Sequence, residues 1–325
     1  MAAHANLAGV EAGEGLPVRL VGAINVSPES FYTGSVAQSE TSLARLAEQM
    51  AAEGADLLDI GAMSTAPYLT TEISADEEAR RLASAVAAVR RTVSLPVSAD
   101  TKRSGPARAA LDAGAQVIND VSGLRHDPHM ASLIAARASG AILMASETAP
   151  GAQGPVRTVR DLLAQSLGAA RAAGVPEGHI VLDPGIGFFR QAGIPWHVWD
   201  CEILRRLSEL RTLGCPILVG LSRKSFIGHL LGRQDPADRL PGSLAATAVA
   251  VLNGAHLIRT HDVGATRDAI RMAEALRQGR SGGGATGQSG NQATGTRRRG
   301  GRGDRGVPGA ARGGRAAPVG RNSDG

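Results

Sequence analysis

Eight short apolar runs recur between residues 18 and 258, and almost every chemically useful polar residue of that stretch stands at or just after the end of one. The runs are 18–24, 56–60, 95–99, 116–118, 141–144, 180–182, 216–220 and 255–258, all rich in Val, Ile and Leu. Continuous rather than alternating hydrophobicity is what strands buried on both faces require, and such strands belong to parallel sheets. Between them lie stretches with helical periodicity, such as Ser39 to Glu53, Glu77 to Arg91, Gly105 to Ala113 and Val198 to Thr212. Strand then helix, eight times over about 250 residues, predicts an α/β fold of the (β/α)8 TIM-barrel type in a single domain. An open doubly wound sheet is the competing architecture.

The residues at and just past the ends of the runs carry the chemistry. They are Asn25, the stretch Asp59 to Thr65, Asp100, Asn119, Asp183, Ser222-Arg223-Lys224, and Arg259 with His261. A single Asn or Asp at a strand end is ordinarily a turn former or a helix cap. Seven strands ending this way, in a barrel whose strand ends converge on one mouth, predict a polar small-molecule site there.

Composition divides the chain near Gly279. The 45 residues from Ser281 carry eight arginines against two aspartates, so residues 1–280 sum to −1 of the chain's +5. The basic balance therefore belongs to a Gly/Arg-rich tail, 280–325, which lacks aromatic residues and is expected to be disordered. Arg-Gly repeats suit nucleic acid, but without Phe or Tyr the stacking contribution is missing, so a passive tail is the favoured expectation. Residues 1–16 form an N-terminal extension ahead of a barrel at 17–279. They lack the basic start and apolar core of a signal peptide, and no apolar run reaches membrane-spanning length. With only Cys201 and Cys215, a cytoplasmic protein without disulfides is expected. His126 and His129 read as members of an exposed loop rather than as metal ligands.

Five segments in order resemble the dihydropteroate synthase family: 22–31 (GAINVSPESF), 99–101 with 118–123 (ADT, INDVSG), 182–188 (LDPGIGF), 219–228 (VGLSRKSFIG) and 259–263 (RTHDV). The resemblance spans roughly residues 17 to 277. It implies a transferase of folate biosynthesis that condenses 7,8-dihydropterin-6-ylmethyl diphosphate with 4-aminobenzoate, releasing diphosphate. It also implies the residue roles. Asp100, Lys224 and Arg259 are the catalytic set. Asp100, Asn119, Asp183, Lys224, Arg259, Phe188 and Met144 hold the pterin; a carboxylate suits its donor-rich edge because it accepts in bidentate fashion. Asn25, Ser64, Thr65, Arg259 and His261 meet the diphosphate, and Phe31, Pro67 and Ser225 line the arylamine side. Asn25 is the implied ligand of Mg²⁺, whose remaining ligands would be diphosphate oxygens and water. A homodimer through helices near the chain's end is implied too, with the Ala-rich 243–253 segment permitting it. Asp262 reads as the N-cap of the last helix.

Two loops depart from the family pattern. Tyr32-Thr33-Gly34-Ser35 replaces an acidic Gly-rich sequence after Phe31, and 61–68 (GAMSTAPY) lacks the family's arginine. Met144 is followed by Ala145 where a Met-His pair is common. These loops resemble an archaeal-type subset, which opens a substituted arylamine of a methanopterin-like pathway as an alternative acceptor. A pterin-dependent methyltransferase shares the Asp, Asn and Asp contacts but not Ser222-Arg223-Lys224-Ser225-Phe226 or Arg259-Thr260-His261. A non-catalytic pterin binder would have no use for both Lys224 and Asn25.

Overall fold

The computed structural model describes residues 2–27, 39–63, 72–146, 153–190 and 193–281. The chain divides into two units, Met1–Gly283 and Gly284–Gly325, and the tail expectation lies outside the described residues.

The first unit opens with an antiparallel hairpin of β1 (His4–Leu7) and β2 (Val10–Gly13). Then come β3 (Arg19–Asn25), α1 (Glu40–Glu53), β4 (Leu57–Gly61), α2 (Ala75–Thr92), β5 (Val97–Asp100), α3 (Ser104–Asp112), β6 (Val117–Asp120) and α4 (Met130–Arg137). The second half holds β7 (Gly140–Met144), α5 (Pro155–Ala172), β8 (Ile180–Asp183), α6 (Trp196–Arg205), β9 (Leu218–Gly220), α7 (Ser225–Leu231), α8 (Leu240–Leu252), β10 (Leu257–Thr260) and α9 (Val263–Ser281). Every apolar run overlaps the strand it predicts, and most strands reach one or two residues past the run to include the polar residue that follows it. The helical stretch 198–212 splits into α6 and a 3-10 helix at Leu207–Leu213.

The eight strands β3 to β10 are all parallel, in the order β8-β7-β6-β5-β4-β3-β10-β9. A parallel bridge between Leu182 and Ile217 joins β8 to the residue preceding β9 and closes the ring. This is the TIM barrel; the open sheet is excluded. The helices wrap it with their apolar stripes inward, as α2 does through Leu82, Ala85, Val86 and Val89. Ser74 caps α2 by accepting from the Glu77 N–H, and acidic residues in its first turn and arginines in its last complement the helix dipole.

Inside the ring, side chains stack in layers. The lowest holds Val21, Leu57, Val117, Ile142, Val181, Leu218 and Leu257, and beneath it the N-terminal hairpin inserts Ala5, Leu7 and Ala12 as a plug. The segment read as an extension thus completes the barrel's interior. Gly140 makes room for the plug, since a Cβ there would lie 2.5 Å from Leu7. His126 and His129 are exposed ahead of α4. Cys201 on α6 and Cys215 before β9 are free thiols.

Candidate active site

Two residues further along, the same inward face becomes polar on four of these seven strands, because strand side chains repeat with period two. Above Leu57 stands Asp59, above Val117 Asn119, above Ile142 Met144, above Val181 Asp183, and above Leu257 Arg259. The register aligns Asn25 with Gly61, Gly61 with Asp100, and Asp100 with Asn119, so these residues form one row across four strands. Met144 pairs with Asp183 on the opposite side. Gly61 leaves the row open; an added Cβ would contact the Asn25 Oδ1 at 3.6 Å and Asp100 at 3.7 Å.

Arg259 organises one side of the mouth. Its Nε donates to Asp59 Oδ2 at 2.6 Å and its Nη2 to Asp100 Oδ2 at 2.9 Å. Asn119 Nδ2 donates to the same Asp59 oxygen at 3.0 Å. Asp59 is fully buried, and its role as the clamp on Arg259 and Asn119 escapes sequence reasoning. The available signal is a charge inside the run Leu57-Leu58-Asp59-Ile60, which a barrel interior tolerates only with a partner. Burial pushes the Asp100 carboxyl up to about 7, with Arg259 opposing and Asp59 reinforcing the rise. The two carboxylates hold Arg259 firmly charged despite its burial. Asp100 Oδ1 has no hydrogen-bond partner among the described residues, so an acceptor atom stands ready in the row.

The other side is built on the turn after β8. Asp183 Oδ1 accepts from the Gly185 N–H at 2.8 Å, and burial raises its carboxyl pKa while Lys224 opposes. Gly185 (φ +72°) must be glycine, since a Cβ would fall 2.0 Å from the Ala145 carbonyl. Lys224, N-cap of α7, donates its ammonium to the Ile186 carbonyl and lies 4.7 Å over the Phe188 ring. Desolvation lowers Lys224 to about 8, with Asp183 and Asp200 pulling it back up. Ser225, next along, accepts from Arg190 Nη2 at 2.5 Å, and that guanidinium sits 4.2 Å over the Trp196 ring.

Between the two sides stand Asn25 and His261. Asn25 Nδ2 lies 3.3 Å from His261 Nε2, and His261 Nδ1 lies 3.0 Å from Ser222 Oγ. Burial and the Arg259 charge depress His261 to about 3, so it is a neutral imidazole. An amide nitrogen is a donor, which assigns the Nε2 lone pair to Asn25 and the proton to Nδ1. His261 therefore meets an incoming ligand as a neutral polar group, not as the cation that the leaving-group role invites. Arg223 turns away from the mouth and pairs with Asp262 through Nε–Oδ2 (2.9 Å) and Nη2–Oδ1 (2.7 Å). Asp262 opens α9 with its backbone carbonyl, which accepts from the Thr266 N–H; its carboxylate serves Arg223 instead of capping.

Of the residues singled out from sequence, Asn25, Asp100, Asn119, Met144, Asp183, Phe188, Lys224, Ser225, Arg259 and His261 converge on this mouth. Phe31, Ser64, Thr65 and Pro67 lie outside the described residues. Among those described, no three His, Cys, Asp or Glu side chains form a metal-binding group.

A mouth with three buried carboxylates, an amide, a lysine and one clamped arginine fits a flat heterocycle bearing several N–H donors. Comparison with known proteins agrees. Residues 21–261 match the family described as "Pterin binding enzyme". Dihydropteroate synthase of Synechocystis sp. is 36% identical over 264 residues, covering 79% of this chain and 89% of that protein. That of Mycobacterium leprae is 39% identical over 271 residues, covering 79% and 92%. The structure of Xanthomonas albilineans dihydropteroate synthase with 4-aminobenzoic acid superposes with a TM-score of 0.76 at 36% identity, covering 85% of this chain and 99% of that one.

Proposed function

Since the chain belongs to the dihydropteroate synthase family of pterin binding enzymes, we propose that it is itself a dihydropteroate synthase, a transferase of folate biosynthesis. It joins 7,8-dihydropterin-6-ylmethyl diphosphate to 4-aminobenzoate and releases diphosphate. The observation that carries this is the row Asp100–Asn119 facing Asp183 and Lys224 across one mouth.

The pterin's amino-pyrimidine edge presents N–H donors, and Asp183 and Asp100 supply buried acceptors for them. Asn119 has its amide nitrogen committed to Asp59, which turns its carbonyl oxygen toward the ligand. Lys224 donates to the pterin's carbonyl and ring-nitrogen edge in exchange for the Ile186 carbonyl. Phe188, on which the ammonium rests, lines the pterin, and Ser225 flanks the arylamine. Its lone pair attacks the exocyclic methylene as the C–O bond to diphosphate breaks and the electron pair leaves with the oxyanion; the attacking nitrogen then sheds a proton. Arg259 and Asn25 stand where charge grows on that oxyanion, and preorganised donors there lower the barrier. Arg259 Nη1 makes no hydrogen bond among the described residues and is the atom free for this task.

Asn25 offers a neutral, hard oxygen next to the opening at Gly61, a donor that fits Mg²⁺ held mainly by diphosphate and water. When bound, the ion neutralises charge on the leaving diphosphate. We also propose a homodimer, supported by exposed Val249 and Leu252 on α8 beside Met272 and Leu276 on α9. The working compartment is the cytoplasm, a reading supported by two unpaired thiols. No described helix is long and apolar enough to cross a membrane.

The test is to incubate the protein with the pterin diphosphate, Mg²⁺ and 4-aminobenzoate, following diphosphate release and product mass. Stoichiometric dihydropteroate is the expected outcome. Pterin binding without coupling, rescued by a substituted arylamine, would reassign the acceptor.

A further inference from the structure

Asp200 on α6 is fully buried, and so far it has entered only as a charge that acts on Lys224. Its Oδ1 accepts from the Gly187 N–H at 2.8 Å, while Oδ2 has no hydrogen-bond partner among the described residues. The other buried acids outside the mouth are well partnered. Glu78 meets Arg103 and Thr101, and Asp120 accepts from Ser122 and Leu124. A carboxylate left half-satisfied in an apolar setting costs stability, so its retention needs a reason.

The reason lies in the peptide that Asp200 grips. Ile186 C=O and Gly187 N–H are two ends of one planar group. The nitrogen end donates to Asp200, and the oxygen end accepts from the Lys224 ammonium. Gly187 (φ +84°) wraps the lysine stem so closely that a Cβ would lie 3.0 Å from Lys224 Cδ. Anion, peptide dipole and cation stand in series, each polarising the next.

We propose that Asp200 is a positioning residue for Lys224: through the Ile186–Gly187 peptide it orients the carbonyl that holds the ammonium, and its charge keeps that ammonium protonated. This rests on the transferase reading only for the importance of Lys224. The groups facing Lys224 are Asp183 from β8, Asp200 from α6, Arg259 from β10 and Arg190 from the turn after β8; those facing Asp200 are Lys224, Arg190 and the neighbouring Cys201 thiol. The Asp200 carboxyl is raised to about 6 and Lys224 is lowered to about 8, so both are ionised between those values. Removing the aspartate charge leaves desolvation and two arginines opposed by Asp183 alone, and Lys224 loses its proton at lower pH.

The chain makes this measurable, because Lys102 and Lys224 are its only lysines. Trace acetylation at a series of pH values, read by peptide mass with Lys102 as internal reference, gives the Lys224 titration without any need for turnover. In Asp200→Asn, which keeps an acceptor oxygen and the side-chain shape, the Lys224 midpoint should fall by roughly one pH unit. The alkaline limb of kcat should move with it, and the KM for 4-aminobenzoate should stay within about twofold. Asp200→Leu, which removes the acceptor as well, should lower kcat further at every pH. If the Lys224 titrations of wild type and Asp200→Asn coincide, the inference is overturned, whether or not Asp200→Leu folds. A shifted titration in a protein that makes no dihydropteroate would leave the inference standing and sink the transferase reading instead.

Discussion

The two ends of the barrel are built from the same strands and obey opposite rules. At the bottom, Leu57, Val117, Val181 and Leu257 close over Ala5, Leu7 and Ala12 of the hairpin with no polar side chain in the cluster. Two residues later, Asp59, Asn119, Asp183 and Arg259 leave buried carboxylates whose charge must be balanced across strands. Close packing at one end supplies the stability that the other end gives up, since uncompensated buried charge is costly and useful only for binding something. Stability and chemistry are thus separated by about 7 Å of strand rise.

The largest effect should come from the mouth. Lys224→Ala should lower kcat by about a hundred- to a thousand-fold, the loss typical of one charge-stabilising donor. Its melting temperature should stay near wild type or rise, because a desolvated cation is gone; a variant that turns over normally would remove Lys224 from the mechanism. At the bottom, Leu7→Ala should cost about 2–5 kcal/mol in denaturant unfolding. Its kcat per folded molecule should match wild type, and a matching loss of kcat would show that the two ends are not separable.

The pH response sharpens the contrast. Burial holds Asp100 at about 7 against an ordinary 3.8, so between those values the folded chain keeps a proton that the unfolded chain has released. Stability from this site is therefore fully present below pH 4 and is lost as pH rises through about 7. Melting temperatures across that window should decline less in Asp100→Asn than in wild type; parallel curves would mean that Asp100 is ionised throughout. The smallest effect should follow removal of 284–325, the second unit of the chain, with kcat and melting temperature unchanged. A clear drop in either would give the Arg-Gly segment a part in the barrel's work.

Much of this was legible before any coordinates. Buried parallel strands write themselves as unbroken runs such as Ile180-Val181-Leu182, and Asp183, the polar residue ending that run, faces the mouth. What stayed hidden depends on contacts between distant segments. Asp59 looks like one more strand residue until Arg259, 200 positions away, reaches it. The hairpin strands His4–Leu7 and Val10–Gly13 are too short and too mixed to announce themselves, and gain their meaning only from the barrel floor they fill. The neutral state of His261 follows from burial beside Arg259, and Asp200 reads as an ordinary helix residue until Gly187 donates to it.

The upper half of the barrel is held to be a pterin site whose anchor is Asp183, and calorimetric titration of a dihydropterin into wild type and Asp183→Asn tests that most directly. The expected result is saturable binding to wild type, weakened in the variant by about 2–5 kcal/mol because one partner of a buried charged contact is lost. Equal affinities in two equally folded proteins would contradict the assignment of the mouth.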